Sequence, residues 1–528
     1  MSRRRILKSS SALISLTLIS RVFGLVREMV RASFLGTTAL GDAFAIAFLI
    51  PNLLRRLFAE GTIAAAFIPV FKGFLSKGEH EKTKKFLSAT FTFGSSVFVL
   101  TVLAGIFLAR PLVKLFGPEL DPSIVDEAVL LTKIMFPYLM FISISALIQG
   151  VLNSMNVFAP SGFTPILFNI TFISSAYILA PYTENPARAI AVGVVAGGVL
   201  QIVFQIPFML KHGYRIVFTS FGKAFRHPGT RKVLRLIAPT VIGMGAYQIN
   251  ILFATRIANS AGTGVVSSLQ FSNRLLELLL GIFAVSLGTV ILPELAQNAK
   301  EENWKKLREN GIFILKIVAL ITLPSAIYTF LYRQEIVSLL FRMGAFDSKS
   351  VDLTAYALMF HIPGLFFIAV NRILTPVFYA HEDTRSPTFA GILTVVLNIT
   401  LAYTLVNPLK GGGVALAASI SSVINMLILL LMMQKKKNLG HGFISIPMLY
   451  SFKIFIFSVI SILPVIPVRV FMIHTFSNFD NRLLTSGMPL AVGAICFFAM
   501  LFMILYITGD KYLYETMIII KRRNLWKK

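Results

Sequence analysis

Residues 48–67 read FLIPNLLRRLFAEGTIAAAF, so Arg55, Arg56 and Glu60 stand in a run otherwise apolar enough to cross a bilayer. A guanidinium is planar, stays charged at any physiological pH and presents a fork of donors that fits a carboxylate or a phosphate. At mid-membrane it costs about 2.5–3.5 kcal/mol on insertion scales, so it faces protein or water rather than lipid. The pattern recurs: Arg21, Arg27 and Glu28 lie in SRVFGLVRE, Asp42 in GDAF, and Arg274 and Glu277 in NRLLE. On a helix Arg56 reaches Glu60 at i, i+4, while Arg55 points about 100° away and is left the freer cation. Glu28 shares a stripe with Arg21, seven positions earlier, and Arg27 is turned off it. The chemistry open to such groups is the holding of an anion. Arg21, Arg27, Arg55 and Arg274 are the candidate ligands; Glu28, Asp42, Arg56, Glu60 and Glu277 are candidates for supporting ion pairs. In the competing reading those carboxylates pair with every arginine and the charges merely hold helices together.

Other chemistries find less support. The single cysteine, Cys496, excludes an intrachain disulfide and a cysteine-cluster metal site. The seven histidines are scattered with no i, i+4 pair, so neither a zinc-hydrolase site nor any other metal site is expected. The outer loops offer no base or carboxylate constellation, so no catalytic residue and no cofactor is expected. His361 reads as a packed residue. Gln248, Asn250, Asn398 and Ser419 fit either a coupling-cation site or hydrogen bonds between helices.

The elements that position these groups follow from composition. The 528 residues are 56% hydrophobic and 14% charged, with a mean hydropathy of +0.77, which places the chain in a membrane. Apolar runs at 10–34, 40–71, 86–109, 127–151, 160–181, 188–210, 236–260 and 264–293 are followed by others at 311–332, 353–379, 388–407, 412–433, 450–472 and 486–508. That predicts about fourteen transmembrane helices in an all-α polytopic protein. The start, MSRRRILKSSSALISLTLIS, lacks a convincing cleavage site and reads as the first helix. The net charge of +27 collects in alternate connections such as KGFLSKGEHEKTKK, QKKKN and KRRNLWKK. This asymmetry puts both termini in the cytoplasm and, with no soluble basic domain, argues against nucleic acid as a partner. Residues 211–235 form the longest polar connection, either an interfacial segment or a solvated linker.

The chain is also duplicated. FPYLMFISISALIQGVLNSMNVFAPSGFTPILFNIT matches IPGLFFIAVNRILTPVFYAHEDTRSPTFAGILTVVLNIT, pairing Pro137 with Pro363 and Asn169 with Asn398. PNLLRRLFAEG and SNRLLELLLG pair Asn52 with Asn273. Six helices per copy predict two pseudo-symmetric lobes, 1–210 and 236–433, around a central cavity. They are joined by 211–235 and followed by two additional helices and a basic tail in 434–528.

SRVFGLVRE, GDAFAIAFLIPNLLRRLFAEG and AAAFIPVF strongly resemble the MurJ/MviN family of lipid II flippases, and the likeness extends through FSNRLLELLLGIFAVSLGTVILPELA. The resemblance implies the multidrug/oligosaccharidyl-lipid/polysaccharide exporter fold, with two extra helices forming a groove for a polyprenyl tail. It implies alternating access in a bacterial inner membrane. The substrate would be lipid II, the undecaprenyl-pyrophosphate-linked disaccharide-pentapeptide precursor of peptidoglycan. Membrane lipids and other cell-wall synthesis proteins would be the further partners, and the residues do not choose between a proton, sodium and the membrane potential as the energy source. The family's cavity arginines carry over to Arg21, Arg27, Arg55 and Arg274, and its motif carboxylates to Asp42 and Glu60. Two positions depart: Leu49 stands where many members have a basic residue, and Asn273 where they have an aspartate. A flippase for another polyprenyl-linked oligosaccharide and a drug/cation antiporter share the scaffold; a membrane-embedded polyprenyl-phosphate enzyme is the reading from another class.

Overall fold

In hydrocarbon every backbone N–H and C=O needs a partner within its own segment, which leaves the helix as the solution for a chain this apolar. The computed structural model describes residues 3–58, 62–301, 303–434, 443–479 and 481–512, and the regular structure among them is helical throughout. Nine of its helices or helix pairs, among the described residues, are long and apolar enough to cross a membrane.

The chain forms two compact units. The first comprises residues 1–267 with a short return of the chain at Met343–Asp347. It holds α1 (Arg3–Leu35), α2 (Ala39–Phe58), α3 (Thr62–Ser76), α4 (His80–Phe107), α5 (Ala109–Phe116), α6 (Pro122–Met135), α7 (Tyr138–Ser154), α8 (Ala159–Leu179), α9 (Pro186–Lys211), α10 (Phe221–Arg226) and α11 (Pro228–Asn259). The first turn of α12 (Val265–Lys300) also belongs to it. Without a hydrophobic drive between helices in lipid, close backbone approach and packing hold such a bundle together. On α9, Gly193 and Gly197 supply that approach. A Cβ at Gly193 would stand 1.7 Å from Ser175 Oγ, and one at Gly197 would stand 2.8 Å from Phe168 Cδ2, both on α8. α8 thereby lies against α9 on one side and α1 on the other. Phe44, Phe168, Phe172 and Val194 form the core there, and a second core gathers Phe67, Phe71, Phe86 and Phe91 with Tyr214.

The second unit comprises residues 268–342 and 348–528. After α12 it holds α13 (Trp304–Leu331), α14 (Arg333–Phe341), α15 (Ser348–His361), α16 (Leu365–Ala380), α17 (Arg385–Gln434), α18 (Ser445–Ile462), α19 (Val465–Phe476) and α20 (Met488–Ile507). α17 is two helices across a turn at Lys410 (φ 49°, ψ −132°), where the sequence reads PLKGGG. α13 packs on α16 and α18. Tyr328 stacks on Tyr332 at 4.7 Å and donates to the Leu490 carbonyl at 2.5 Å. A buried carboxylate, Glu335, is paired with Arg469 of α19 at 2.7 Å.

Two of the apolar runs are each two helical pieces, parted at a proline. Residues 127–151 break between α6 and α7 at Pro137, and 353–379 break at a 3-10 turn, Ile362–Gly364, around Pro363. The repeat is visible here, because the matched prolines interrupt corresponding helices. Asn169 and Asn398, also matched, are both buried.

Candidate functional site

α1 carries the first group of ionisable side chains. Its neighbour α8 presents Phe168 and Phe172, and Arg27 lays its guanidinium over both rings, with Cζ 5.7 Å and 5.6 Å from the centroids. Arg27 Nη2 donates to Glu28 Oε1 at 2.6 Å. The other Glu28 oxygen lies 3.1 Å from Arg31 Nη2. Glu28 is 7% exposed, and a carboxylate so withdrawn from water requires partners of this kind. Glu28 is thus an ion-pair residue, as expected, and its partners are Arg27 and Arg31. A long arginine spans the turn between adjacent positions, so Glu28 serves Arg27 and, one turn on, Arg31. Sequence reasoning missed Arg31; the i, i+3 spacing in VREMVR was its signal.

Arg21 lies two turns earlier on α1. It is half-buried, and among the described residues it has no hydrogen-bond or ion-pair partner. The carbonyl of its neighbour Ser20 accepts from Asn169 Nδ2 of α8 at 3.4 Å, which fixes the backbone at this level.

On α2, Arg55 has a polar neighbour on its own helix. Its Nε donates to Asn52 Oδ1, one turn back, at 2.9 Å. Arg56 is half-buried beside it, and its expected partner Glu60 lies outside the described residues.

Asp42 has a different role from the one expected. It is 1% exposed and accepts the backbone N–H of Gly264 at 2.6 Å and of Ser267 at 2.8 Å. Among the described residues it pairs with no arginine. A carboxylate here satisfies orphan donors in the first turn of α12 and complements the positive end of the helix dipole. The connection from α1 to α2 that positions it is tightly folded. Ala345 N donates to Ser33 O at 2.7 Å, and Gly36 and Gly344, both at φ +55°, adopt backbone forms that a side chain would strain.

In the second unit, Arg274 Nη1 reaches Glu277 Oε2 at 3.4 Å, a long contact between half-buried groups. Arg274 Nε is buried with no acceptor among the described residues. An orphaned buried donor on a guanidinium is a standing demand for an acceptor. His361 is buried with Nδ1 2.7 Å from Ser272 Oγ, and Ser419 Oγ donates to the Phe360 carbonyl at 2.6 Å. Among the described residues no three His, Cys, Asp or Glu gather as a metal site. In the first unit Arg27 is held by Glu28 and Arg55 by Asn52, while in the second Arg274 keeps a buried donor with no acceptor among the described residues.

Residues 31–506 match the family model described as lipid II flippase MurJ. The chain is 39% identical over 528 residues to the probable lipid II flippase MurJ of Treponema pallidum (strain Nichols), covering 98% of each chain. It is 34% identical over 417 residues to the lipid II flippase MurJ of Burkholderia cenocepacia, covering 78% of this chain and 80% of the relative. A solved structure of lipid II flippase MurJ in an inward closed conformation is similar with a TM-score of 0.76 and 25% identity, over 94% of this chain and 99% of that one. An inward-facing MATE family transporter of the MOP superfamily shares the fold, with a TM-score of 0.64 and 15% identity over 83% of this chain and 98% of that one.

Proposed function

The chain belongs to the MurJ family of lipid II flippases, and from that membership we propose that it carries lipid II from the cytoplasmic to the outer leaflet of a bacterial inner membrane. It is a multi-pass membrane protein and a transporter rather than an enzyme. Both termini lie in the cytoplasm in this reading, on the strength of the basic connections.

A pyrophosphate cannot enter hydrocarbon unless other partners replace its water. Guanidinium groups are suited to that exchange because they make paired, charge-assisted bonds to phosphate oxygens and remain protonated. Arg21, Arg27, Arg55 and Arg274 take the pyrophosphate, the polyprenyl tail stays in lipid, and alternating access exposes the headgroup to each side in turn. Glu28 holds Arg27 in place. With Asn273 in the position of the family's aspartate, the ion pair supporting Arg274 falls to the long contact with Glu277.

The observation that carries the reading is Arg21, a half-buried guanidinium in an apolar helix with no partner among the described residues. Such a group is costly until an anion or water meets it. The test is outer-leaflet accessibility of lipid II in cells depleted of their own flippase and supplied with this chain. The parent should expose lipid II and Arg21→Ala, at equal abundance, should not. A parent that exposes none would remove the substrate assignment; an Arg21→Ala variant that equals the parent would remove the role of Arg21.

A further inference from the structure

Between α9 and α11, residues 211–235 contain seven Lys or Arg and no Asp or Glu, and all seven cations are exposed. A plain solvated linker has no need of large apolar side chains. Yet Val217, Phe218, Phe221 and Phe225 lie in the same segment and are 45% to 62% exposed.

The segment is held in place by α4. Ser88 Oγ donates to the Val217 carbonyl at 2.5 Å, and Thr219 N donates to Thr92 Oγ1 at 2.9 Å. Phe221 and Phe225, one turn apart on α10, stack on Phe93 at 5.7 Å and 5.9 Å, and Ala224 between them is buried. The level of this attachment is informative. α4 has 28 residues and so measures about 42 Å against a hydrocarbon core of about 30 Å, so one end projects beyond the core. Its first residues, HEKTKK, are charged, and its apolar run begins at Phe86. Ser88, Thr92 and Phe93 therefore fix the segment where α4 enters the apolar layer. Arg231 links the two kinds of side chain, with its Cζ 5.7 Å above the Phe225 ring.

We infer that residues 217–232 are a docking surface for anionic phospholipid headgroups. Phe218, Phe221 and Phe225 enter the boundary between headgroups and acyl chains, and Lys223, Arg226, Arg231 and Lys232 meet lipid phosphates. Exposed aromatics at the depth of the boundary, beside cations with no acid among them, are the composition that binds a charged bilayer surface. A soluble acidic partner would leave those rings without an apolar medium. The inference does not depend on which lipid the protein transports.

The test uses the full chain in nanodiscs, in a Cys496→Ala background, with a polarity-sensitive fluorophore at Phe218→Cys and, separately, at Ser220→Cys, which leaves the aromatics in place. Discs contain phosphatidylcholine alone or with phosphatidylglycerol, together with a nitroxide-labelled lipid. The expected result at both positions is quenching by the labelled lipid, at least doubled by phosphatidylglycerol. The increase should be abolished by Lys223→Gln, Arg226→Gln and Arg231→Gln together. It should also shrink in high salt, where the screening length falls from about 10 Å at 0.1 M to about 3 Å at 1 M. Quenching by aqueous iodide but not by the lipid would overturn the surface altogether. Lipid quenching indifferent to phosphatidylglycerol and to the three substitutions would overturn its selectivity for anionic headgroups. Unchanged thermal melting of the labelled proteins certifies that each result reports on the folded chain.

Discussion

The Asp42 carboxylate accepts the backbone N–H of Ser267, 225 residues further along the chain, at 2.8 Å. With the Gly264 N–H at 2.6 Å it satisfies two donors that helix geometry leaves unpaired. Asp42→Ala strands both, at about 1–3 kcal/mol for each buried group. Asp42→Asn keeps one carbonyl acceptor and should lose less. Thermal melting of the purified protein should therefore rank the parent above Asp42→Asn and Asp42→Asn above Asp42→Ala. A parent-like melt for Asp42→Ala would show that the stranded donors find other acceptors.

Replacing Arg21 or Arg274 by lysine keeps the charge but removes the planar fork. Loss of a charge-assisted bond of about 1.5–3 kcal/mol corresponds to roughly 10- to 150-fold weaker binding. Native mass spectrometry with a polyprenyl pyrophosphate should show Arg21→Lys weakened by roughly tenfold or more and Arg21→Ala weakened further. Equal affinity for arginine and lysine at both positions would mean that a point charge is enough.

Gly197 controls Arg27 through Phe168. A side chain at Gly197 must displace the ring, whose nearest carbon would stand 2.8 Å from the new Cβ, and Arg27 rests on that ring. Gly197→Leu should cost about 1–3 kcal/mol in stability through overpacking and reduce lipid II exposure per molecule inserted. Gly245→Ala, where a Cβ meets nothing within 4 Å, is the control. Activity per molecule equal to the parent in Gly197→Leu would uncouple Phe168 from Arg27.

His227 packs against Phe74 and Phe86, and its Nδ1 accepts from Gly229 N at 3.1 Å as the cap of α11. Burial pushes its imidazole below the ordinary value of 6.5. The folded state prefers the neutral ring, so this contribution is complete above about pH 6.5 and is lost as pH falls through the lowered folded value. The melting temperature should decline on acidification below about pH 6.5. His227→Asn, which keeps a capping acceptor but does not titrate, should flatten that decline. An unchanged slope in His227→Asn would assign the acid sensitivity elsewhere.

Much of the fold is legible in the sequence because a membrane demands long apolar helices with their own hydrogen bonds, and PLKGGG marks the turn inside α17 without help. The breaks at Pro137 and Pro363 were readable as prolines, but whether each would kink or split its helix depends on neighbours that periodicity does not identify. The family is legible too, since SRVFGLVRE and PNLLRRLFAEG pair rare intramembrane charges with fixed apolar spacing, and the family match over residues 31–506 includes the second of them. Partners are another matter. Glu28 is legible as an ion-pair residue, but helix angles do not say which arginine takes it, because side-chain length lets Arg27 reach it from the next position. Asp42 looked like a counter-ion because its acceptors' donors, at Gly264 and Ser267, are distant in sequence and carry no charge to advertise them.

The five residues Met343–Asp347, returning to the first unit through Ala345 N and Ser33 O, make that unit discontinuous along the chain. During synthesis the ribosome must therefore add the 80 residues from 268 to 347 before the last piece of the first unit exists. At about 5–20 residues per second that is a delay of roughly 4–16 s. For that interval the turn around Gly36 lacks the Ala345 hydrogen bond that closes it in the finished protein.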